Sequence, residues 1–249
     1  MYYGKTEIVI CDDEFDLGAK AAAAVAVTMR DLLGRQEDIR MILAGGQSQD
    51  TFLDALALHT QLDWSRVTCF NMDDFWMPGM PAALTVAGQC RRQLYDVVHP
   101  GRVCLVDASA ADPQAEASRF ESLLRTVGPI DILCEGIGTS GHLAFNEPGD
   151  CDFAEERWVK VVAVQETSRR QLVSDPNFAA LPAIPDKGIT MTIPALMSAR
   201  HRFTMVPLGL KRPILTRLLQ TRIPTTALPA SILLEHEGKL FADRNSWPG

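Results

Sequence analysis

Short apolar runs alternate with longer helical segments along most of this 249-residue chain. The runs are apolar at nearly every position, which is typical of parallel strands buried on both faces of a sheet. The longer segments are rich in residues that favour helix. The alternation predicts an α/β fold, a Rossmann-like and mostly parallel sheet with helices on both faces. Strands are predicted over residues 7–11, 40–44, 67–72, 103–106, 130–134, 159–164, 188–193 and 203–207, and helices over 15–33, 49–58, 87–98, 112–127, 165–173 and 210–219.

The interval between residues 174 and 187 interrupts this pattern because it contains three prolines, and we predict a loop there. The chain shows neither an internal repeat nor a low-complexity tract, and no stretch has the composition of an interdomain linker. A single domain over residues 1–249 is therefore predicted, and it is long enough to bury a substantial core.

Charge and composition narrow the class of protein. A net charge of −7 and a pI of about 5.2 argue against nucleic-acid binding, which usually requires a basic surface. No apolar run is long enough to span a membrane, and the first residues lack the apolar core of a signal peptide. The six cysteines show no CxxC spacing, so we expect reduced core thiols and no structural metal site. These features favour a cytoplasmic protein.

A glycine pair, Gly45-Gly46, separates a predicted strand from a predicted helix and is followed by Gln47 and Ser48. Exposed backbone amides at a helix N-terminus can bind a phosphate, and the Ser48 hydroxyl could add a further contact. The segment lacks the lysine and the spacing of a Walker A loop. A tight turn with a helix cap therefore stays open as an alternative.

Asp73 and Asp74 follow a largely apolar predicted strand, where packing does not require an acidic pair. Two close carboxylates tend to raise the pKa of one of them, which suits a general base near neutral pH. The functional hypothesis is that one carboxylate is this base and the other shapes the site. A solvated strand end or a helix cap is the structural alternative.

The glycine-rich segment 136–149 follows another apolar strand and contains His142, with Glu147 five residues later. Glycines at 138 and 141 let the backbone turn tightly and approach a ligand. A histidine held in such a turn can transfer a proton near neutral pH, and Glu147 could fix its tautomer. Lys211, at the start of the last predicted helix, could reach a phosphate. The structural alternative is that Lys211 is a solvated surface lysine without a role in binding.

Three of these motifs follow predicted strands of a parallel sheet, and ligands collect at the carboxyl ends of such strands. Together the motifs resemble the glucosamine-6-phosphate deaminase family, which is related in fold to 6-phosphogluconolactonases and ribose-5-phosphate isomerase. The resemblance covers nearly the whole chain. The segments that carry it are Leu43-Ala44-Gly45-Gly46-Gln47-Ser48-Gln49, Phe70-Asn71-Met72-Asp73-Asp74-Phe75, Gly141-His142-Leu143-Ala144-Phe145-Asn146-Glu147-Pro148-Gly149 and the run from Gly188 to Arg200.

The resemblance implies conversion of glucosamine 6-phosphate to fructose 6-phosphate and ammonia by a hydrolase/isomerase without metal or redox cofactor. Asp73 matches the base that moves a proton from C2 toward C1, His142 the group that assists ring opening, and Glu147 its hydrogen-bonding partner. It also implies a small-molecule hexosamine phosphate as ligand, a lid segment near residues 150–187, and a possible homo-oligomeric assembly. The implied substrate-binding residues are Gly45, Gly46, Gln47, Ser48, Asp74, Gly138, Thr139, Gly141, Arg169 and Lys211.

Two positions depart from the family pattern. Ser140 stands where well-studied members carry an aspartate, and we include it among the catalytic candidates because serine can still donate or accept a hydrogen bond, although it carries no charge. A phosphate-binding arginine of the family aligns with Val173, and Arg169 or Arg170 could replace it, with Arg169 preferred. Ser140 leaves three alternatives open: a related sugar-phosphate isomerase, a 6-phosphogluconolactonase, and a non-catalytic sugar-phosphate sensor.

Overall fold

The computed structural model describes residues 1–178, 180 and 184–249. The strands are β1 (Tyr2–Tyr3), β2 (Thr6–Cys11), β3 (Ile39–Leu43), β4 (Val67–Asn71), β5 (Asp73–Trp76), β6 (Arg102–Cys104), β7 (Ile132–Gly136), β8 (Val159–Ala163), β9 (Lys187–Met191), β10 (His201–Val206) and β11 (Gly238–Asp243). The helices are α1 (Glu14–Leu33), α2 (Asp50–Ala57), α3 (Val86–Cys90), α4 (Asp96–Val98), α5 (Pro113–Thr126), α6 (Glu166–Ser174), α7 (Ile193–Met197) and α8 (Arg212–Gln220). A π-helical turn, Arg91–Tyr95, joins α3 to α4.

The main sheet has eight strands in the order β1-β2-β11-β10-β7-β3-β4-β6. All neighbours pair in parallel except β1, which pairs antiparallel with β2 at the edge. The prediction of a mostly parallel α/β sheet is confirmed. The chain leaves β3 toward β4 and β6, and then returns to place β7 on the other side of β3. This reversal creates a crevice between β3 and β7 at their carboxyl ends.

Both faces of the sheet are covered by apolar side chains. Along β3, Met41 and Leu43 pack on the face covered by α1 and α2, whereas Ile42 packs on the face covered by α5 and α8. Because successive strand residues point to opposite faces, an uninterrupted apolar run can supply both cores. Five of the six cysteines are buried, which confirms that most of them are core residues.

A second sheet of three antiparallel strands, β5-β9-β8, corrects the sequence prediction around the acidic pair. The predicted strand 67–72 ends at Asn71, and the chain then changes sheet. At the change, the Met191 amide donates to the Met72 carbonyl, 2.8 Å away. Asp73 and Asp74 therefore begin a new strand, in which Asp73 pairs with Thr190 of β9. They are not a solvated strand end.

The predicted strand 159–164 and helix 165–173 correspond to β8 and α6 within one residue. The predicted loop 174–187 contains a single 3-10 turn, Pro176–Phe178, and part of it, at residues 179 and 181–183, lies outside the described residues. Among the helices of residues 1–178, 180 and 184–249, none combines the length and apolar character that crossing a membrane requires.

Candidate active site

An open cleft lies at the carboxyl ends of β3, β4, β7 and β10. Loops after β3 and β7, strand β5 and helix α6 all contribute to its wall. The lining residues are Ala44, Gly45, Gly46, Ser48, Met72, Asp73, Phe75, Val86, Gly136, Ile137, Gly138, His142, Ala144, Phe145, Ser168, Leu172, Asp175, Phe178 and Lys211.

His142 and Glu147 form a close pair on the loop after β7. The Nδ1 atom of His142 lies 2.7 Å from Oε1 of Glu147, whose side chain is buried. A tight turn positions the ring, since the Gly141 amide donates to the Gly138 carbonyl at 2.9 Å. The ring then lies against Gly138, where an added Cβ would be only 2.0 Å from Nε2. A glycine is therefore required at 138 for this placement of the imidazole.

Two serine hydroxyls complete the hydrogen bonds to Glu147. Ser140 Oγ donates to Oε2 at 2.5 Å and lies 2.9 Å from His142 Nδ1. Ser168 Oγ, from α6, donates to Oε1 at 2.6 Å. Ser140 was a candidate from the sequence. Ser168 was missed, because nothing in its local sequence indicates that α6 packs against a loop more than twenty residues earlier.

Glu147 is held in its charged form. Burial alone would raise the pKa of its carboxyl, but the hydrogen bond and charge of His142, together with the two serine hydroxyls, lower that pKa to about 2. An ionised carboxylate only accepts hydrogen bonds, so the bond to Glu147 assigns a proton to Nδ1 of His142. The neutral imidazole then has its free lone pair on Nε2, the nitrogen that lies against Gly138 at the cleft.

Asp73 faces the same cleft from the first position of β5 and is almost completely buried. Burial, followed by the charge of Asp74, raises the pKa of Asp73 to about 8. A carboxylate with so high a pKa is a stronger base than an ordinary aspartate. Asp73 thus combines the position and the proton affinity that a general base needs.

Asp74 has a different role from the substrate contact that was predicted for it. Its side chain lies fully buried and accepts hydrogen bonds from the backbone amides of Phe75, Val86 and Ala87, at 2.9, 3.0 and 3.0 Å. Burial raises the pKa of Asp74 to about 7, and these amides oppose the rise. Asp74 anchors the start of α3, and its charge acts on Asp73.

The loop Gly45–Ser48 has the shape of an anion site, but protein groups bond to two of its amides. Gly46 has φ +87°, in the left-handed region that favours glycine. Its amide donates to Oε1 of Gln89 at 2.7 Å, and the Gln47 amide donates to Oδ2 of Asp175 at 2.8 Å. The sequence motif alone did not indicate either acceptor, because both lie on distant segments.

Lys211 is not a surface lysine, so that alternative is wrong. It is 2% exposed, and its Nζ donates to the Ile137 carbonyl at 2.7 Å. Burial lowers the pKa of Lys211 to about 8. The structure thus brings the lysine to the same cleft as Gly46 and Ser48, and it places the ammonium next to the strand end that leads to Gly138.

A second cleft adjoins the first and shares Ser48, Asp175 and Lys211 with it. Its other lining residues are Gln47, Thr139, Arg170, Ser174, Leu208 and Leu210. Arg169, the preferred arginine, does not line either of these two clefts. Its guanidinium is directed to the Pro185 carbonyl at 3.4 Å, whereas Arg170 lines the wall that contains Lys211 and donates through Nε to Oε1 of Glu166 at 2.9 Å. Successive residues of a helix point about 100° apart, which explains why only one of the pair reaches this wall.

Across the part of the chain that the structure describes, no three His, Cys, Asp or Glu side chains are grouped so that they could hold a metal ion. The polar groups of the two clefts include the buried carboxyl of Asp73, the His142–Glu147 pair, the buried Lys211 and the backbone amides of the Gly45–Ser48 loop. Such a set can transfer protons and bind an anion.

Comparison with known sequences places nearly the whole chain in one family. The profile of glucosamine-6-phosphate isomerases/6-phosphogluconolactonase matches residues 12–242. A glucosamine-6-phosphate deaminase of an Exiguobacterium species is 30% identical over 222 residues, which cover 88% of this chain and 84% of the relative. A glucosamine-6-phosphate deaminase of Arthrobacter sp. strain FB24 is 34% identical over 202 residues, which cover 78% and 74% of the two chains.

Solved structures share the same fold. A monomeric glucosamine-6-phosphate deaminase superimposes with a TM-score of 0.85 at 24% identity, covering 97% of this chain and 98% of the other. The 6-phosphogluconolactonase of Thermotoga maritima gives a TM-score of 0.75 at 20% identity, covering 96% and 99%. At these identities the structures show a common architecture, and the choice between the two chemistries depends on the site.

Proposed function

This chain belongs to the family of glucosamine-6-phosphate isomerases and 6-phosphogluconolactonases, and we propose that it deaminates and isomerises a hexosamine 6-phosphate. The proposed reaction converts glucosamine 6-phosphate and water to fructose 6-phosphate and ammonia. The observation that carries the proposal is that Asp73 and the His142–Glu147 pair face one cleft. One group can move a proton between carbon atoms and the other between oxygen atoms. Lactone hydrolysis does not need both.

In the first proposed step, His142 opens the sugar ring. Nε2 accepts the proton of the anomeric hydroxyl and returns a proton to the ring oxygen as the C1–O5 bond breaks. The imidazole is transiently positive, and the buried carboxylate of Glu147 at 2.7 Å stabilises that charge. The product of this step is the open-chain aldehyde of the amino sugar.

In the second proposed step, Asp73 transfers a proton between neighbouring carbons. Its carboxylate removes the proton on C2 while the carbonyl oxygen O1 takes a proton from the substrate ammonium, which gives an enolamine, and Asp73 then delivers its proton to C1. The resulting imine at C2 reacts with water and releases ammonia, which is the hydrolytic part of the reaction. Binding of the phosphate orients the distant C1–C2 bond, because contacts far from the reacting atoms can hold a substrate in a reactive position.

The phosphate is assigned to the region where the two clefts meet. Ser48, Lys211 and the amides of the Gly45–Ser48 loop lie there, and Arg170 and Thr139 line the adjoining wall. Helix α6 carries Ser168 and Leu172 on the cleft wall, which supports a lid role for the segment 150–187 within one domain over residues 1–249.

Phosphorylated sugars are intracellular metabolites, so we also propose a cytoplasmic location. The structurally similar deaminase is monomeric, and a homo-oligomer of this chain stays an alternative that sedimentation can test.

Ammonia release from glucosamine 6-phosphate and from galactosamine 6-phosphate tests the proposal. We expect ammonia and a ketose phosphate in equal amounts from at least one of the two epimers. A paired Ser140→Asp variant adds a charge beside His142 Nδ1, 2.9 Å from the present hydroxyl. We expect faster ring opening in this variant, measured as a higher kcat.

Each alternative predicts a different outcome when 6-phosphogluconolactone and a measurement of thermal stability are added to the two hexosamine phosphates. A lactonase would release acid from 6-phosphogluconolactone and no ammonia from either hexosamine phosphate. A sugar-phosphate isomerase would produce a ketose without ammonia. A sensor would be stabilised thermally by hexose phosphates without any turnover. Absence of ammonia from both epimers would overturn the proposed deamination.

A further inference from the structure

A carboxylate of the protein bonds to the loop to which the substrate phosphate is assigned. Asp175 follows α6, and its Oδ2 accepts the Gln47 amide hydrogen at 2.8 Å. The same oxygen would lie only 3.6 Å from a Cβ built on Gly46, so it sits directly over the glycine turn. Asp175 is only 5% exposed. An internal anion thus bonds to an amide of the anion loop.

Turn formation does not explain this contact. The other oxygen of Asp175, Oδ1, accepts the Asn177 amide hydrogen at 2.9 Å, which is an ordinary side-chain cap of a turn. This bond involves a single carboxylate oxygen and a residue two positions away. The bond to Gln47 uses the second oxygen and connects segments that are 128 residues apart in the chain. The bond to Gln47 is therefore not part of the turn that Asp175 caps.

Asp175 has charged neighbours of both signs, since Lys211 lines the same clefts, and burial and the charge of Asp175 both raise the pKa of Asp50. Lys211 lines both clefts together with Asp175, and the charge of Asp175 opposes the effect of burial on the pKa of this lysine. Backbone amides at a glycine turn add partial positive charge that does not depend on pH. A phosphate that binds here meets a carboxylate of the same sign at short range, and like charges at such distances repel strongly where water is excluded.

We propose that Asp175 is an internal competitor of the substrate, whose carboxylate occupies the anion site of the Gly45–Ser48 loop and is displaced by the phosphate of the substrate. The inference rests on the proposed function, which makes a sugar phosphate the ligand. A sugar phosphate gains contacts at the sugar end of the cleft that offset the displacement of Asp175. Free orthophosphate gains none, so with Asp175 in place it binds only weakly to the same amides.

The test compares anion binding by the full-length protein and by Asp175→Asn. The variant keeps the shape of the side chain, and its carboxamide oxygen can still cap Asn177, but it removes the competing charge. Isothermal titration calorimetry with orthophosphate and with glucosamine 6-phosphate gives both dissociation constants. We expect the variant to bind orthophosphate about tenfold more tightly than the wild type, as removal of a like charge commonly does. The dissociation constant of glucosamine 6-phosphate should fall by a similar factor, because both ligands displace the same carboxylate.

Asp152→Asn is the matched control. Asp152 is exposed and caps the Ala154 amide at 2.8 Å, so this variant removes the same charge and the same kind of turn bond away from the loop. It should bind orthophosphate like the wild type. Asp175→Ser retains a short capping oxygen without the charge, and it replaces Asp175→Asn if the latter fails to fold. Unchanged or weaker orthophosphate binding in a folded Asp175 variant overturns the inference.

Failure of this inference and failure of the proposed function can be distinguished. Orthophosphate binding needs no turnover, so tighter binding by Asp175→Asn together with no ammonia release would retain the inference and refute the deamination. Ammonia release by the wild type together with unchanged orthophosphate binding in the variant would retain the proposed deamination and refute the inference about Asp175.

Discussion

At the scale of single residues, burial determines what the acidic pair can do. Asp73 and Asp74 are neighbours in sequence, yet Asp73 faces the cleft whereas Asp74 bonds to three backbone amides. The sequence predicted that one of them is a base and the other shapes the site, and the geometry supports this division. The degree of burial could not be predicted, because it depends on a second sheet whose strands are far apart in the chain.

The raised pKa of Asp73 gives a pH dependence with a definite sign. The proposed base acts in its ionised form, and the pKa of Asp73 in the folded protein is about 8. We therefore expect kcat/KM for the hexosamine phosphate to rise with pH up to about 8 and to decline at higher pH, where Lys211, whose pKa is also about 8, loses the charge that binds the phosphate. Asp73→Asn should lower kcat/KM by about 10²–10⁴-fold at every pH, a typical effect of losing a general base.

The measurement is a pH series of initial rates of ammonia release, with binding of the sugar phosphate followed separately by calorimetry. Asp73→Asn should still bind the ligand, since the loop and Lys211 are unchanged. Asp107→Asn, an exposed aspartate after β6, controls for the loss of one negative charge. A rate that stays within a few-fold of wild type in Asp73→Asn would exclude the proposed base.

The hydrogen bonds to Glu147, the partner of His142, show which site residues a single sequence can predict and which it cannot. Ser140 was identified as a departure, and its hydroxyl indeed bonds to Glu147 in place of a charged side chain. Nothing in the sequence around Ser168 indicated that its hydroxyl would be the second one to bond to the same carboxylate. Local motifs identify residues of one loop, whereas a contact supplied by a separate helix depends on how the helix docks.

At the scale of elements, α6 connects the two ends of the cleft. Ser168 near its start bonds to Glu147, and Asp175 directly after its end bonds to the phosphate loop. The predicted helix 165–173 was almost correct in its bounds, since 3.6-residue periodicity is a local signal. Its position over the cleft results from tertiary packing of Leu172 and Phe178, which periodicity does not specify.

Ser168→Ala tests whether α6 supports the catalytic histidine. The substitution removes a hydrogen bond of 2.6 Å to an ionised carboxylate, and such bonds contribute about 1.5–3 kcal/mol. We expect kcat/KM to fall about 10–100-fold, with most of the change in kcat, because His142 loses part of the network that orients it. Steady-state rates with the hexosamine phosphate measure this effect.

Ser118→Ala is the control for loss of a helical serine, since Ser118 is exposed on α5 and donates only to the Gln114 carbonyl of its own helix. It should leave the rates unchanged. If Ser168→Ala raised KM alone, with kcat unaffected, Ser168 would contribute to lid docking and not to the orientation of His142.

At the scale of the whole molecule, the parallel sheet brings together residues from four strand ends. Apolar runs separated by helices predicted this sheet, because strands buried on both faces leave a strong compositional signal. Strands β1, β5 and β11 were missed. Strand β5 has four residues and β11 begins with Gly238 and Lys239, so both are defined mainly by partners that lie far away in sequence.

Buried acids give the whole fold a characteristic pH dependence of stability. Glu135 on β7 is fully buried, its Oε1 accepts the Thr204 hydroxyl at 3.2 Å, and Oε2 has no hydrogen-bond partner among the described residues. Burial raises the pKa of Glu135 to about 8, against a value of about 4.3 for an unfolded chain. The folded state therefore holds this proton more tightly than the unfolded state. The stabilisation is complete below about pH 4 and is lost as pH rises to about 8.

Glu135→Gln should reduce this loss, because glutamine does not ionise. Each pKa unit corresponds to about 1.4 kcal/mol, and about 1 kcal/mol shifts the melting temperature of a protein of this size by about 2–4 °C. We expect the wild-type melting temperature to fall between pH 5.5 and 8.5, and this fall to be at least about 2–4 °C smaller in Glu135→Gln. Glu37→Gln, at an exposed glutamate, should melt like the wild type at both values. Equal falls in wild type and Glu135→Gln would mean that Glu135 is already ionised in the folded core, and its carboxylate would then need a compensating charge such as Arg202 on the neighbouring strand.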